Sequence, residues 1–207
     1  MSEIGGFRRK IGITGTIASG KTSVSILLKK HGFAVFNCDQ YAKMATHAGN
    51  PCFDRLVSVL GKDVLDDGGD IDRQKIASLI FQDENKRLCV NEIVHPYVIE
   101  GMRRFFASLS SEPFVFAEVP LLFEAGMEKE FDQICVVTCQ KETALTRMME
   151  DREYTRQQAL DRYSCQIDPE IQKGKADTVI ENDGDLKQLN TAVNTWLAQL
   201  RKETRRQ

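Results

Sequence analysis

Eight residues near the start, Gly15-Thr16-Ile17-Ala18-Ser19-Gly20-Lys21-Thr22, constrain this chain more than any others. They fit the spacing G-x-x-x-x-G-K-[ST], in which glycines let the backbone curl so that successive N–H groups point at one centre. Before them, Ile11-Gly12-Ile13-Thr14 reads as a short buried strand. After them, Val24, Ile26, Leu27 and Leu28 read as the apolar face of a helix. The motif is therefore expected at a strand-to-helix turn, where the helix N-terminus adds partial positive charge. Lys21 is expected to reach the β- and γ-phosphates of a nucleoside triphosphate, and the Thr22 hydroxyl to bind Mg²⁺. Gly15, Ala18, Ser19, Gly20 and Ser23 complete the expected nucleotide-binding set.

Composition adds boundaries rather than identity. A chain of 207 residues is long enough for one α/β domain with an insertion. A net charge of −2 predicts no strong pull toward nucleic acid or an anionic membrane. The cluster Arg201, Lys202, Arg205 and Arg206 reads as a solvated helix end rather than a nucleic-acid patch. The six cysteines include no C-x-x-C pair, and Cys135 and Cys139 lack a following His at zinc-finger spacing. They read as small buried or semi-buried residues in a reducing compartment, with no metal role. Residues 1–10 contain no apolar core of a signal peptide, and no run approaches 18 apolar residues, so a cytoplasmic location is expected.

Strand and helix signals alternate along the chain. A strand over 10–14 leads through the loop into a helix from Lys21 to about His31, with Gly32 at its C-terminal end. Phe33-Ala34-Val35-Phe36 reads as a second buried strand, ending at Asn37-Cys38-Asp39, and Tyr41, Ala42 and Ala45 suggest a short helix after it. From 48 to 109 the pattern becomes helical: Phe53, Leu56, Val57 and Leu60, then Asp72 capping a helix with Ile76, Leu79 and Ile80. A further helix carries Leu88, Val90, Ile93 and Val94, and His95-Pro96 is expected to open or kink the next stretch. Residues 114–118 read as a strand running into 119–124, and residues 131–138 as another. A helix carrying Leu145, Met148 and Met149 follows, then one over 156–166 started by a Thr155/Gln158 capping box. Thr178-Val179-Ile180 is a last short strand, and an amphipathic helix through Leu189, Val193, Trp196 and Leu200 closes the chain.

This alternation, with the phosphate loop first, predicts an α/β fold with a parallel, doubly wound sheet. Ligands of such sheets bind at the carboxyl ends of the strands. Asp39 stands at the end of the second strand and is read as the base that orients an acceptor hydroxyl, with a share in holding Mg²⁺; a turn or helix-cap carboxylate is the plainer reading. Arg147, Arg152, Arg156 and Arg162 are candidate cations for a closing lid, of which Arg147 is the first choice, against a solvated helix face. His95 is read either as structural or as a site residue, and Glu118 either as a magnesium carboxylate or as a polar strand end. Asp66-Asp67-Gly68-Gly69 matches the D-x-x-G of GTPases but follows no core strand, and no N-K-x-D for guanine exists, so it reads as a turn.

Taken together, these residues resemble the dephospho-CoA kinase family over nearly the whole chain. The likeness rests on the loop through Ser23, on Gly32-Phe33 to Asp39, on Val94-His95-Pro96, and on Pro120-Leu121-Leu122-Phe123-Glu124. It continues in Phe131-Asp132, in Arg162 with Gln166 four residues later, and in Ala176-Asp177 through Asp183-Gly184. The resemblance implies a single P-loop kinase domain over 1–207, with a helical acceptor-binding insertion at 48–109 and a lid at 147–176. It implies transfer of the ATP γ-phosphate, with Mg²⁺, to the ribose 3′-hydroxyl of dephospho-CoA; a monomer without nucleic-acid or membrane partner is expected. In that family the carboxylate matching Asp39 is the base. His95, Pro120, Leu121 and Glu124 would help form the acceptor pocket, Arg147 would contact ATP phosphates, and Asn182 would lie near the adenine. Asn37 stands where the family commonly has an acid, and Asp151 where it commonly has a second lid arginine, the charge here being at Arg152. Another small-molecule kinase of the same fold, acting on a nucleoside or shikimate, is the nearest alternative; a nucleotide-dependent binding switch is the alternative from another class.

Overall fold

The computed structural model describes residues 8–109 and 112–204. Met1 to Phe7, from the signal-peptide reading, and Arg205 and Arg206, from the basic cluster, lie outside them. Five strands form one sheet: β1 (Arg9–Gly15), β2 (Val35–Asn37), β3 (Phe114–Glu118), β4 (Gln133–Thr138) and β5 (Thr178–Glu181), in the order β2-β3-β1-β4-β5. β1 pairs in parallel with β3 on one side and β4 on the other, and β4 pairs in parallel with β5. Such pairing requires crossovers, and helices supply them: α1 (Lys21–Lys30), α2 (Cys38–Met44), α3 (Phe53–Leu60), α4 (Arg73–Gln82), α5 (Glu84–Ser108), α6 (Lys141–Arg152), α7 (Arg156–Ser164), α8 (Pro169–Gly174) and α9 (Leu186–Thr204). The expected parallel α/β sheet is what the chain forms.

Strand period decides which face of β1 meets which layer. Ile11 and Ile13 are fully buried against Val24 and Leu28 of α1 and Val193 and Trp196 of α9. Phe33, Phe116 and Trp196 meet edge to face at ring-centroid distances of 5.2 and 5.8 Å. On the other face Gly12 leaves room for neighbouring side chains: a Cβ there would stand 2.8 Å from Leu122 Cδ1 and 3.0 Å from Phe131.

The chain divides into two compact units, one built from the described parts of Met1–Phe36 and Leu109–Gln207, the other from Asn37–Ser108. The second has its own apolar core, with Leu56, Leu60, Val64, Ile71, Ile76 and Ile93 buried together. Its longest element, α5, runs through Pro96 as one 25-residue helix, where the sequence suggested a new start or a kink. Proline removes one backbone donor, but Ile93, Val98 and Met102 on the same helix are buried and hold it in place. Gly101 of α5 lets Tyr41 of α2 approach, since a Cβ would lie 2.3 Å from its ring, and Tyr41 stacks on Tyr97 at 4.7 Å.

Local signals are well matched. Asp72 accepts from the Gln74 and Lys75 amides to start α4, and Thr155 and Gln158 form the full capping box of α7. Asp66 to Asp70 is a turn closed by the Asp66 carboxylate on the Gly68 and Asp70 amides. Two expectations are corrected. β3 ends at Glu118, and after Val119 residues 120–126 are a run of turns rather than continued strand; bonds such as Ala125 N to Leu121 O at 2.9 Å close it on itself. Asp39 lies in the first turn of α2, not at the end of β2, because Asn37 caps that helix by accepting from the Gln40 amide at 2.8 Å.

Candidate active site

The phosphate loop joins β1 to α1. At its start Gly15 has φ 141°, and a Cβ there would lie 1.9 Å from the Val137 carbonyl oxygen of β4, so only glycine lets the two strands stay paired. Ala18 and Gly20 also take left-handed backbone, with φ 58° and 100°. Alternation of this kind turns consecutive amides toward a common centre, the geometry of an anion nest. Gly20 provides no side-chain cap for α1, and its first turn has no carboxylate. A helix left uncapped and without acid at its N-terminus presents donors and partial positive charge to an external anion.

Side chains from distant parts of the chain hold this loop. The Lys21 ammonium is nearly buried and crosses the loop to the carbonyls of Gly15 and Thr16, at 2.8 and 2.7 Å. Asn182, just past β5, donates to the Ser19 carbonyl at 2.8 Å. Arg147 of α6 donates to the Ala18 carbonyl at 3.3 Å and the Asn182 carbonyl at 2.8 Å. Gln166, just after α7, accepts from the Ile17 amide at 2.6 Å. The Thr16 and Ser19 hydroxyl oxygens are buried without a hydrogen-bond partner. Buried hydroxyls of this sort normally find one, so two loop groups suit the oxygens of a phosphate chain.

At the neighbouring strand end Thr22 donates to the Glu118 carboxylate at 2.7 Å. Glu118 is only 4% exposed although its side chain is polar, and the Thr22 bond is part of what supports it there. A hydroxyl and a carboxylate side by side are hard oxygen donors that fit a magnesium ion carrying several waters. Among the described residues no group of three or more His, Cys, Asp or Glu is placed to hold a metal by itself. The donor set thus fits Mg²⁺ bound jointly with a nucleotide, not a dedicated metal cage.

A cleft of about 330 Å³ opens at the carboxyl ends of β4 and β5. Its lining includes Asp168, Glu170, Glu181 and Asp183 but only Lys141 and Lys173 to oppose them. That balance repels phosphate and suits a neutral base and its ribose hydroxyls.

The remaining candidates lie on other elements. Pro120 accepts from Thr14 Oγ1 through its carbonyl at 3.5 Å, and Leu121, in the turn after β3, is 51% exposed. Glu124 accepts from the Ile167 amide at 3.3 Å. In the 37–108 unit, Asp39 is exposed and is not the cap of its helix. His95 is half-buried on α5, and burial lowers its pKa by disfavouring the imidazolium. An unfolded histidine takes its proton near pH 6.5, whereas the folded one resists until lower pH. Stability from this group is therefore present above that value and lost as pH falls through it toward the folded pKa. Thermal melting should show a drop between pH 7 and 5.5 that is smaller in His95→Gln; equal drops would mean His95 is not the group responsible.

Comparison with known proteins gives these features a common origin. The family model described as dephospho-CoA kinase (CoaE) matches residues 9–188. A dephospho-CoA kinase of Bacillus licheniformis is 38% identical over 192 residues, covering 90% of this chain and 96% of the relative. One from Synechococcus sp. is 38% identical over 191 residues, covering 92% and 96%. Among solved structures, TT1252 of Thermus thermophilus superposes with TM-score 0.81 at 32% identity, covering 93% of this chain and 98% of that one. A shikimate kinase of Bacteroides thetaiotaomicron, at 13% identity and TM-score 0.58 over 93% of this chain and 98% of its own, shares the fold alone. With the family match extending from β1 into the start of α9, this chain belongs to the dephospho-CoA kinase family.

Proposed function

We propose that this protein transfers the γ-phosphate of ATP to the ribose 3′-hydroxyl of dephospho-CoA, giving CoA and ADP in the last step of coenzyme A synthesis. The observation that carries this reading is the family match over 9–188, together with a loop built to receive a triphosphate. Family membership makes the protein a nucleotide-using kinase; the atomic roles below are our reading.

The loop amides and the N-terminus of α1 hold the phosphates, with Gly15, Ala18, Ser19, Gly20, Lys21, Thr22 and Ser23 as the cradle. Lys21 offsets charge on the β- and γ-phosphates. Arg147 supports the loop and lends positive charge to the migrating group. Thr22 and Glu118 are the groups that would hold Mg²⁺, which when bound neutralises developing charge on the phosphate oxygens. The base of ATP lies beside the residues that follow β5, Asn182 among them, a choice supported by the acid-rich cleft there.

Asp39 accepts the proton of the acceptor hydroxyl and directs its oxygen toward the phosphorus; a share in metal binding is a second role for the same carboxylate. His95, Pro120, Leu121 and Glu124 contribute to acceptor binding, within a helical insertion at 48–109 and the turn after β3. Residues 147–176 form the lid. The enzyme acts as a monomer in the cytoplasm, without nucleic acid or membrane as partner. No described helix is long and apolar enough to cross a membrane.

A coupled assay for ADP separates this reading from its rivals. With ATP and Mg²⁺, dephospho-CoA should yield ADP and a 3′-phosphate ester detectable by phosphorus NMR, while nucleosides and shikimate stay at background. ADP formed from a nucleoside but not from dephospho-CoA would replace the acceptor. Slow hydrolysis with strong GTP preference and no acceptor dependence would point to a switch.

A further inference from the structure

We propose that Gln166 is a positioning residue for the phosphate loop, fixing its first half from outside the motif. The inference rests on reading residues 15–22 as the ATP site. Two independent contacts carry it. The first is the bond from the Ile17 amide to Gln166 Oε1, at 2.6 Å across 149 residues of sequence. The second is packing: Ile17 and Ala18 lie against the buried cluster of Leu145, Met148 and Ala159 on α6 and α7, with Tyr154, Leu160 and Tyr163 beside them.

The chemistry follows from what a loop amide can do. An N–H turned toward the centre binds phosphate, and an N–H turned away needs a protein acceptor. Gln166 supplies that acceptor for Ile17, so the peptide before Ile17 is held in one orientation. Arg147 and Asn182 grip the Ala18 and Ser19 carbonyls, and orient the Ala18–Ser19 and Ser19–Gly20 peptides in the same way. Three peptide planes of the motif, 16–17, 18–19 and 19–20, are thus set by side chains from three separate places in the sequence. Gln166 is the one carried by the segment between α7 and α8. A neutral amide suits this place better than a carboxylate, because it accepts from the backbone without adding negative charge beside a triphosphate.

Removing the acceptor should weaken ATP binding and leave the rest of the reaction alone. In Gln166→Met, which keeps the length of the side chain, KM for ATP should rise about fivefold, the size of one net hydrogen bond, with kcat and KM for dephospho-CoA within about twofold of wild type. Gln166→Glu keeps an acceptor. In nucleotide-free protein the Ile17 amide should therefore exchange slowly in wild type and Gln166→Glu, and rapidly in Gln166→Met. An unchanged KM for ATP in Gln166→Met overturns the proposal, as does a parallel loss in kcat and both KM values, which marks a general fold defect. If Gln166→Met does not fold, the wild-type Ile17 amide decides, and rapid exchange there overturns the proposal. A wild-type enzyme that ignores dephospho-CoA would refute the proposed function instead, and the amide measurements would still test Gln166.

Discussion

Asp39→Asn is expected to reduce kcat by about 10²- to 10⁴-fold while ATP affinity stays within a few-fold of wild type, the pattern of a lost general base. The substitution is nearly isosteric and leaves four acceptor lone pairs reduced to two, so packing is scarcely altered. The helix cap is not at stake either, because Asn37 caps α2 and Asp39 follows it within the first turn. Asp39 is exposed and is the acidic residue of that first turn, so the substitution also tests whether its charge matters to the helix start. Equilibrium binding of a nonhydrolysable ATP analogue and turnover with dephospho-CoA, measured on the same preparation, check this. Turnover at the wild-type rate would remove Asp39 from the chemistry; loss of analogue binding with turnover would move it to metal binding.

The second large effect concerns Gly15→Ala. A single methyl group there meets the Val137 carbonyl oxygen at 1.9 Å, on a backbone whose φ of 141° already suits only glycine. Both faults fall on the junction of β1 with β4, so relief requires the strands to part at the mouth of the loop. Strain and displacement together should cost about 2–4 kcal/mol, which lowers the melting temperature by about 5–10 °C in a chain of this size. ATP-dependent turnover should fall further than stability, because the displaced peptide is the one whose carbonyl Lys21 bonds. Calorimetry and kinetics on the variant test this; wild-type melting together with wild-type turnover would show that the close approach is absent in solution.

The loop, the strands and most helix starts are legible in the sequence because each depends on neighbours within a few residues. Glycine spacing, the Asp72 cap and the Thr155/Gln158 box are such cases. Two local misreadings have local causes. The apolar run 119–124 resembles strand, yet Leu122 and Phe123 are buried from a turn. Asp39 reads as a strand end because the apolar run before it is continuous, yet Asn37 starts α2 two residues earlier and puts Asp39 in its first turn. The candidate site was less legible, for a different reason. Thr22 and Glu118 are 96 residues apart, and Asn182 is 163 from Ser19. No local pattern links such pairs; the crossovers of the sheet bring them together. Gln166 was visible only as part of a family likeness, since a glutamine in a charged segment carries no chemical signature of its own.

The strand order has a consequence for how this protein fails. β1, which ends in the phosphate loop, is the middle strand of five and is zipped to a neighbour along both edges. β5, which leads to Asn182, is a border strand held to β4 along one edge. Partial opening begins where fewest bonds must break, so β5 is released at a lower free energy than the centre of the sheet. Its release takes Asn182 off the Ser19 carbonyl and removes one of the two anchors of Arg147. The loop then sits on an intact strand without that part of its bracing, so loss at the sheet margin would disable the loop before the core opens.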